Sequence, residues 1–275
     1  MANRFKTFFL MTVLTVMFVL VGWFFAGREG AIIAFIFAAF TNFIAYWFSD
    51  KMVLKRYQAQ EVTSHDSRLY RVVQNLIPKA GLPMPKVYII PQSTPNAFAT
   101  GRNPKHAAVA ATQGILNILN DDELSGVMAH ELTHVKKRDI LTGTIAATLA
   151  GAITMLSQIA MFGSGSSRRR NPLLLLPVLI LAPIIAIFVR MAISRVREYV
   201  ADKGGSEISG KPLGLASALI KLHDGVAHNP IQHGNPAHSH MFIVNPFFGK
   251  GLHNLFSSHP PVEERVKRLK IIASV

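Results

Sequence analysis

The chain has 275 residues, 50% of them hydrophobic and only 16% charged, with a formal net charge of +14 and no cysteine. That is too much apolar material for a soluble domain of this length, and without cysteine only His, Asp and Glu are left to hold a metal. The positive charge does not point to nucleic acid: residues 49–139 hold 12 Lys and Arg against 8 acids, residues 194–275 hold 10 against 6, and no dense basic helix is present.

Four apolar stretches, residues 8–25, 31–48, 140–162 and 172–193, each have about the 17–25 residues a helix needs to cross a bilayer. No small-x-small cleavage site separates the first two, so the first is read as a span rather than a signal peptide. Arg4 and Lys6 precede it, and Lys51, Lys55 and Arg56 follow the second stretch, which places both flanks in the cytoplasm by the positive-inside rule. The link around Arg28 and Glu29 reads as a short, neutral outside loop. After the second stretch, residues 67–77 have helical spacing of apolar residues, and residues 85–91 (PKVYIIP) read as a short buried strand bounded by prolines. NAFATG and HAAVAAT follow, separated by a Gly, Asn and Pro-containing turn, and read as a hairpin of small-residue strands.

Asn120 then caps a helix that has Glu123 at its third position, a capping box. The helix runs to about Asp139. Val127, His130, Glu131 and His134 share one stripe of it, facing inward. Two histidines four apart on a helix set their imidazoles side by side, and a glutamate beside the first is placed to take a proton from water at a shared metal. Lys136, Lys137 and Arg138 read as a C-terminal charge cluster at the membrane interface, and Asp139 as a structural partner near the helix end.

The third and fourth stretches flank GSGSSRRRN, whose Arg168, Arg169 and Arg170 run against the positive-inside rule. The hairpin either spans or is re-entrant. Pro177 and Pro183 favour kinks, and Gly143, Ala147 and Gly151 allow close helix approach. Immediately after it, residues 194–205 (SRVREYVADKGG) read as a helix with Glu198 and Asp202 on one face. Glu198 can be the third ligand, and Asp202 can accept a hydrogen bond from a ligand histidine and fix its tautomer. Because the hairpin leaves the first motif helix and returns to the second, both emerge on the same side of the membrane, side by side. The six histidines from His223 to His253 lie at irregular spacing in a Gly, Asn and Pro-rich segment and read as a loop.

With HELTH, the apolar hairpin, EYVAD and HPPVEERVKRL in this order, the chain resembles the HtpX-type bacterial membrane zinc metalloproteases, gluzincins related to the CAAX prenyl proteases. The resemblance implies a mostly α integral membrane protein with a helical zincin-like protease domain and a small β-sheet. Its parts are two N-terminal spans (1–48), a first protease segment (49–139), the apolar hairpin (140–193) and a second protease segment (194–275). It further implies one zinc ion on His130, His134 and Glu198, Glu131 as base and Asp202 supporting a ligand. By the same resemblance, Asn96, Ala97 and Phe98 lie on a strand bordering the substrate cleft, and His259 and Arg265 lie near the metal, His259 as a donor to the oxyanion and Arg265 as a substrate-binding group. The alternative for Arg265 is a surface ion pair on a C-terminal helix opened by Pro260 and Pro261. The expected activity is zinc-dependent endopeptidase action on damaged or unfolded membrane proteins at the cytoplasmic face of the inner membrane, as protein quality control, with no nucleic-acid partner. The rival readings are a non-catalytic zinc-binding membrane adaptor and a prenyl-protein protease.

Overall fold

The computed structural model describes residues 2–141, 145, 195–228, 243 and 260–274. The third apolar stretch beyond Ile140, Leu141 and Ile145, the whole fourth stretch, the Arg168–Arg170 link and His259 lie outside the described residues. Within them the protein is mostly helical, with one small mixed sheet.

The first helical element, α1 (Ala2–Arg56), is two helices joined at Ala26 and Gly27, where Gly27 takes a left-handed φ of 52°. The reversal is tighter than the outside loop expected around Arg28 and Glu29, which instead begin the second helix. Glycine permits it twice over. Gly27 adopts the positive φ at no steric cost, and a Cβ on Gly22 would sit 2.3 Å from the carbonyl oxygen of Gly30, so the two arms touch backbone to backbone. Lower down, Asn42 Nδ2 donates to Thr15 Oγ1 at 2.8 Å and Phe18 meets Phe37 edge-on. Thr7–Phe24 and Ala26–Phe48 are both long and apolar enough to span a bilayer, and most of their large side chains face outward. The second arm continues past its apolar window to Arg56.

The sheet has the order β1-β2-β4-β3, from β1 (Gln60–Glu61), β2 (Lys86–Ile90), β3 (Ala97–Gly101) and β4 (Ala107–Thr112). β2 and β4 are parallel; the other two pairs are antiparallel. β4, AAVAAT, is buried throughout because both faces are covered. One face packs on the end of α1 through Val53, Leu54, Ile90 and Phe98, and the other joins the main core through Val87, Ala97, Val109 and Ala111.

That main core surrounds α4 (Asp121–Lys137), which packs against α2 (Arg68–Ala80), α5 (Arg195–Ser209), α6 (Pro212–His228) and β3. A short α3 (Gln113–Ile118) leads into it, and α7 (Val262–Ala273) closes over α5 and α6. The capping box forms: Asn120 Oδ1 accepts from the Glu123 amide and Glu123 Oε2 from the Asn120 amide, both at 2.9 Å. Glu123 also accepts from Ser217 Oγ at 2.6 Å and Lys221 Nζ at 2.8 Å, tying the start of α4 to α6. These donors outweigh burial and hold the Glu123 carboxyl below its usual range. Helices α4 and α5 approach closely because Gly204 and Gly205 lie between them; a Cβ on Gly205 would fall 2.9 Å from the His130 amide nitrogen.

Candidate active site

Helix α4 presents His130 and His134 one turn apart toward α5, and α5 returns Glu198 between them. The two Nε2 atoms are 3.2 Å apart. Glu198 Oε2 lies 3.7 Å from His130 Nε2 and Oε1 lies 3.6 Å from His134 Nε2. Three ligands at roughly 2.0–2.1 Å from a tetrahedral ion stand about 3.3 Å apart; here the histidine pair matches that spacing, and the Glu198 carboxylate faces each imidazole with a different oxygen, slightly farther off. The donor set of two imidazoles and a carboxylate suits a first-row divalent ion. Among the described residues these three form a group able to hold a metal, all donor atoms lying within 4.8 Å of one another.

Each imidazole is oriented from behind. Asp202 Oδ1 is 3.0 Å from His130 Nδ1, and Asp139 Oδ2 is 3.2 Å from His134 Nδ1. A carboxylate facing Nδ1 keeps the proton there and leaves Nε2 with its lone pair toward the shared point. The second of these contacts depends on the helix end. Arg138 takes a left-handed φ of 58°, an uncommon conformation for a non-glycine residue, and turns the chain so that Asp139 folds back onto His134. Arg197 Nε lies 3.2 Å from Asp139 Oδ2 and completes that side. Although burial opposes a charge on His134, the bond to Asp139 and the nearby Glu198 and Glu131 push its pKa up to about 9. Ligation needs the neutral imidazole, so this proton leaves when a cation is held.

Arg265 is fully buried, which removes the surface ion pair as an account of it and leaves it no surface to offer a substrate. Its Nε and Nη2 grip Asp202 at 2.8 and 2.7 Å, and Nη1 donates to the Ile243 carbonyl at 3.0 Å. Burial pushes the Asp202 carboxyl up, but the guanidinium beside it dominates and brings it down to about 2. Asp202 therefore stays ionised behind His130. The Arg265–Asp202–His130 chain is a buried ion pair with a positioning role.

Glu131 lies beside the histidine pair and faces the sheet, where Oε2 accepts from the Ala99 amide at 2.9 Å. Burial pushes its carboxyl up, partly offset by the two histidines and this amide. The same bond fixes which way β3 faces. Asn96 O accepts from Thr112 N, so even-numbered residues turn their main chain to β4, while Ala99 turns its own to the site. The side chains of Asn96, Ala97 and Phe98 are all buried. Asn96 Oδ1 accepts from the Ile243 amide at 3.3 Å. What this strand offers a ligand is therefore main chain.

A sequence-family model, described as peptidase family M48, matches residues 63–273. The chain belongs to peptidase family M48. Curated relatives agree: a protease HtpX homolog from Ralstonia pickettii (strain 12J) is 54% identical over 279 residues, covering 99% of this chain and 98% of its own. Another from Thermococcus kodakarensis is 53% identical, covering 98% and 95%. Among solved structures, that of S. mikatae Ste24p superposes with a TM-score of 0.56 at 18% identity, over 97% of this chain and 64% of that one, a likeness of fold. This M48 member is a metalloprotease and a membrane protein.

Sequence reasoning missed Asp139 as the partner of His134. The Gly204-Gly205 pair inside a helix was a readable sign of close approach that it did not use.

Proposed function

We propose that this chain is a zinc-dependent endopeptidase of the bacterial cytoplasmic membrane that hydrolyses damaged or misfolded membrane proteins at the cytoplasmic face. The observation that carries the reading is Glu131: a buried carboxylate beside the histidine pair and against the edge of β3, a group that a purely structural metal site has no use for. This sets the enzyme reading above a zinc-binding adaptor. Lys51, Lys55 and Arg56 after the second span support the cytoplasmic orientation, and the likeness to the protease HtpX homologs supports proteolysis.

His130, His134 and Glu198 would hold the zinc, which when bound acidifies water and polarises a carbonyl. Asp202 and Asp139 hold the ligand imidazoles in place through Nδ1. An extended substrate lies along the outward edge of β3, held by main-chain bonds. As the water oxygen bonds to the peptide carbon, Glu131 takes its proton, and as the C–N bond breaks, Glu131 delivers that proton to the leaving nitrogen. Glu131→Gln, isosteric but unable to accept a proton, is expected to keep its metal and lose at least ~100-fold in casein cleavage, the low end for general-base removal. Cleavage at the wild-type rate would remove Glu131 from this role.

A further inference from the structure

Strand β3 does more than border the site; it lies against the end of the second membrane helix, and the contacts fix its direction. At its start, Phe98 packs on Tyr57 with ring centroids 5.6 Å apart. Just past its end, the Arg102 guanidinium sits 4.5 Å from the Trp47 ring. Trp47 closes the apolar window Ala26–Phe48, with Tyr46 packed edge-on beside it, the aromatic signature of the membrane–water boundary. From Trp47 to Tyr57 the helix climbs about 15 Å at ~1.5 Å per residue. From Phe98 to Arg102 the strand covers about 13 Å at ~3.3 Å per residue. The two lengths agree, so β3 descends alongside the helix toward the bilayer. Ala99, whose amide meets Glu131, stands three residues above Arg102, roughly 10 Å from the boundary.

We propose that this docking sets the cleft at a fixed height above the membrane, so that the enzyme selects peptide bonds by their distance from the end of a substrate's own span. The inference rests on the proteolytic reading and adds a rule to it. A flexible tether has a root-mean-square reach of about 5–6 Å times the square root of its length, so it matches ~10 Å at three to four residues. Shorter tethers cannot reach. Longer ones lose effective concentration as roughly the −3/2 power of length, about 20-fold between four and 32 residues.

The test uses the full zinc-loaded chain in vesicles of phosphatidylethanolamine and phosphatidylglycerol. The substrate is a single span followed by a linker of identical repeated cassettes, so that every register is chemically equivalent. Cut positions are mapped by mass spectrometry. In parallel, Glu131→Gln is photo-crosslinked to the same substrate carrying a probe at successive linker positions. Both profiles should begin near three residues, peak just beyond and fall about tenfold or more by 30 residues, while the untethered linker is cut without positional preference. Flat profiles, or maxima beyond about 20 residues, would overturn the fixed height. Crosslinks that peak near the span without cutting by the wild type would keep the height and remove the proteolytic reading.

Discussion

Arg265→Ala probes the buried frame behind the metal site and keeps all three ligands, though Nη2 lies 3.5 Å from His130 Nδ1 and Nη1 3.8 Å from Glu198 Oε2. The substitution deletes both bonds to Asp202 and the bond to the Ile243 carbonyl, and leaves Asp202 ionised in a site where it is 2% exposed. Breaking a buried ion pair by removing one partner costs about 3–5 kcal/mol, because the survivor keeps its desolvation penalty and loses its compensation. For a chain of this size each kcal/mol moves the unfolding midpoint by roughly 2–4 °C, so a fall of about 10 °C is expected. Circular dichroism of the detergent-purified protein would read it. The Arg265→Ala/Asp202→Ala double variant should unfold close to either single variant rather than at the sum, since the same pair is lost in all three. If Arg265→Ala melted within 2 °C of the wild type, or the two substitutions added, Arg265 would not be paired as described.

Asp139→Asn should leave the fold intact and weaken metal binding about 10–100-fold, the usual loss when a ligand histidine loses its orienting carboxylate; competition with a chromophoric chelator measures it, and unchanged affinity would refute the pairing with His134. Glu123 supplies a pH dependence. Its folded pKa lies below the ordinary value, so its contribution to stability is present above the unfolded pKa of about 4.3 and is lost as pH falls through the folded value. Glu123→Gln should therefore flatten the fall in unfolding midpoint below about pH 4.5, and an unaltered pH profile would count against the Lys221 and Ser217 contacts.

Local patterns in the sequence carried much of the fold. The capping box at Asn120, the inward stripe of α4, the strand at Lys86–Ile90 and the small-residue hairpin are all short-range features, and each formed close to its expected limits. The meeting of His130, His134 and Glu198 was expected from the sequence, in which two apolar stretches between the motif segments read as a hairpin that brings both out on one side. Other features were not written locally. Asp139 lies five residues beyond His134, off the helical face, and reaches it only because Arg138 adopts a left-handed turn with no glycine to announce it. Arg265 was placed near the metal by resemblance alone, because its burial depends on Asp202, 63 residues earlier, and on the Ile243 carbonyl. Helix α6, with Leu215, Leu219 and Leu222 buried, was not read from the sequence, and its position behind α4 depends on Glu123 reaching Lys221 and Ser217.

Helices α4 and α5 together build one metal site. Its most direct test is the metal content of detergent-purified wild type and Glu198→Ala, measured by elemental analysis beside casein cleavage. About one zinc per chain is expected in the wild type, as a site of two histidines and a glutamate can hold, with loss of both metal and cleavage in Glu198→Ala. Zinc retained at the wild-type level in Glu198→Ala would contradict it, because the third ligand would then have to come from somewhere other than α5.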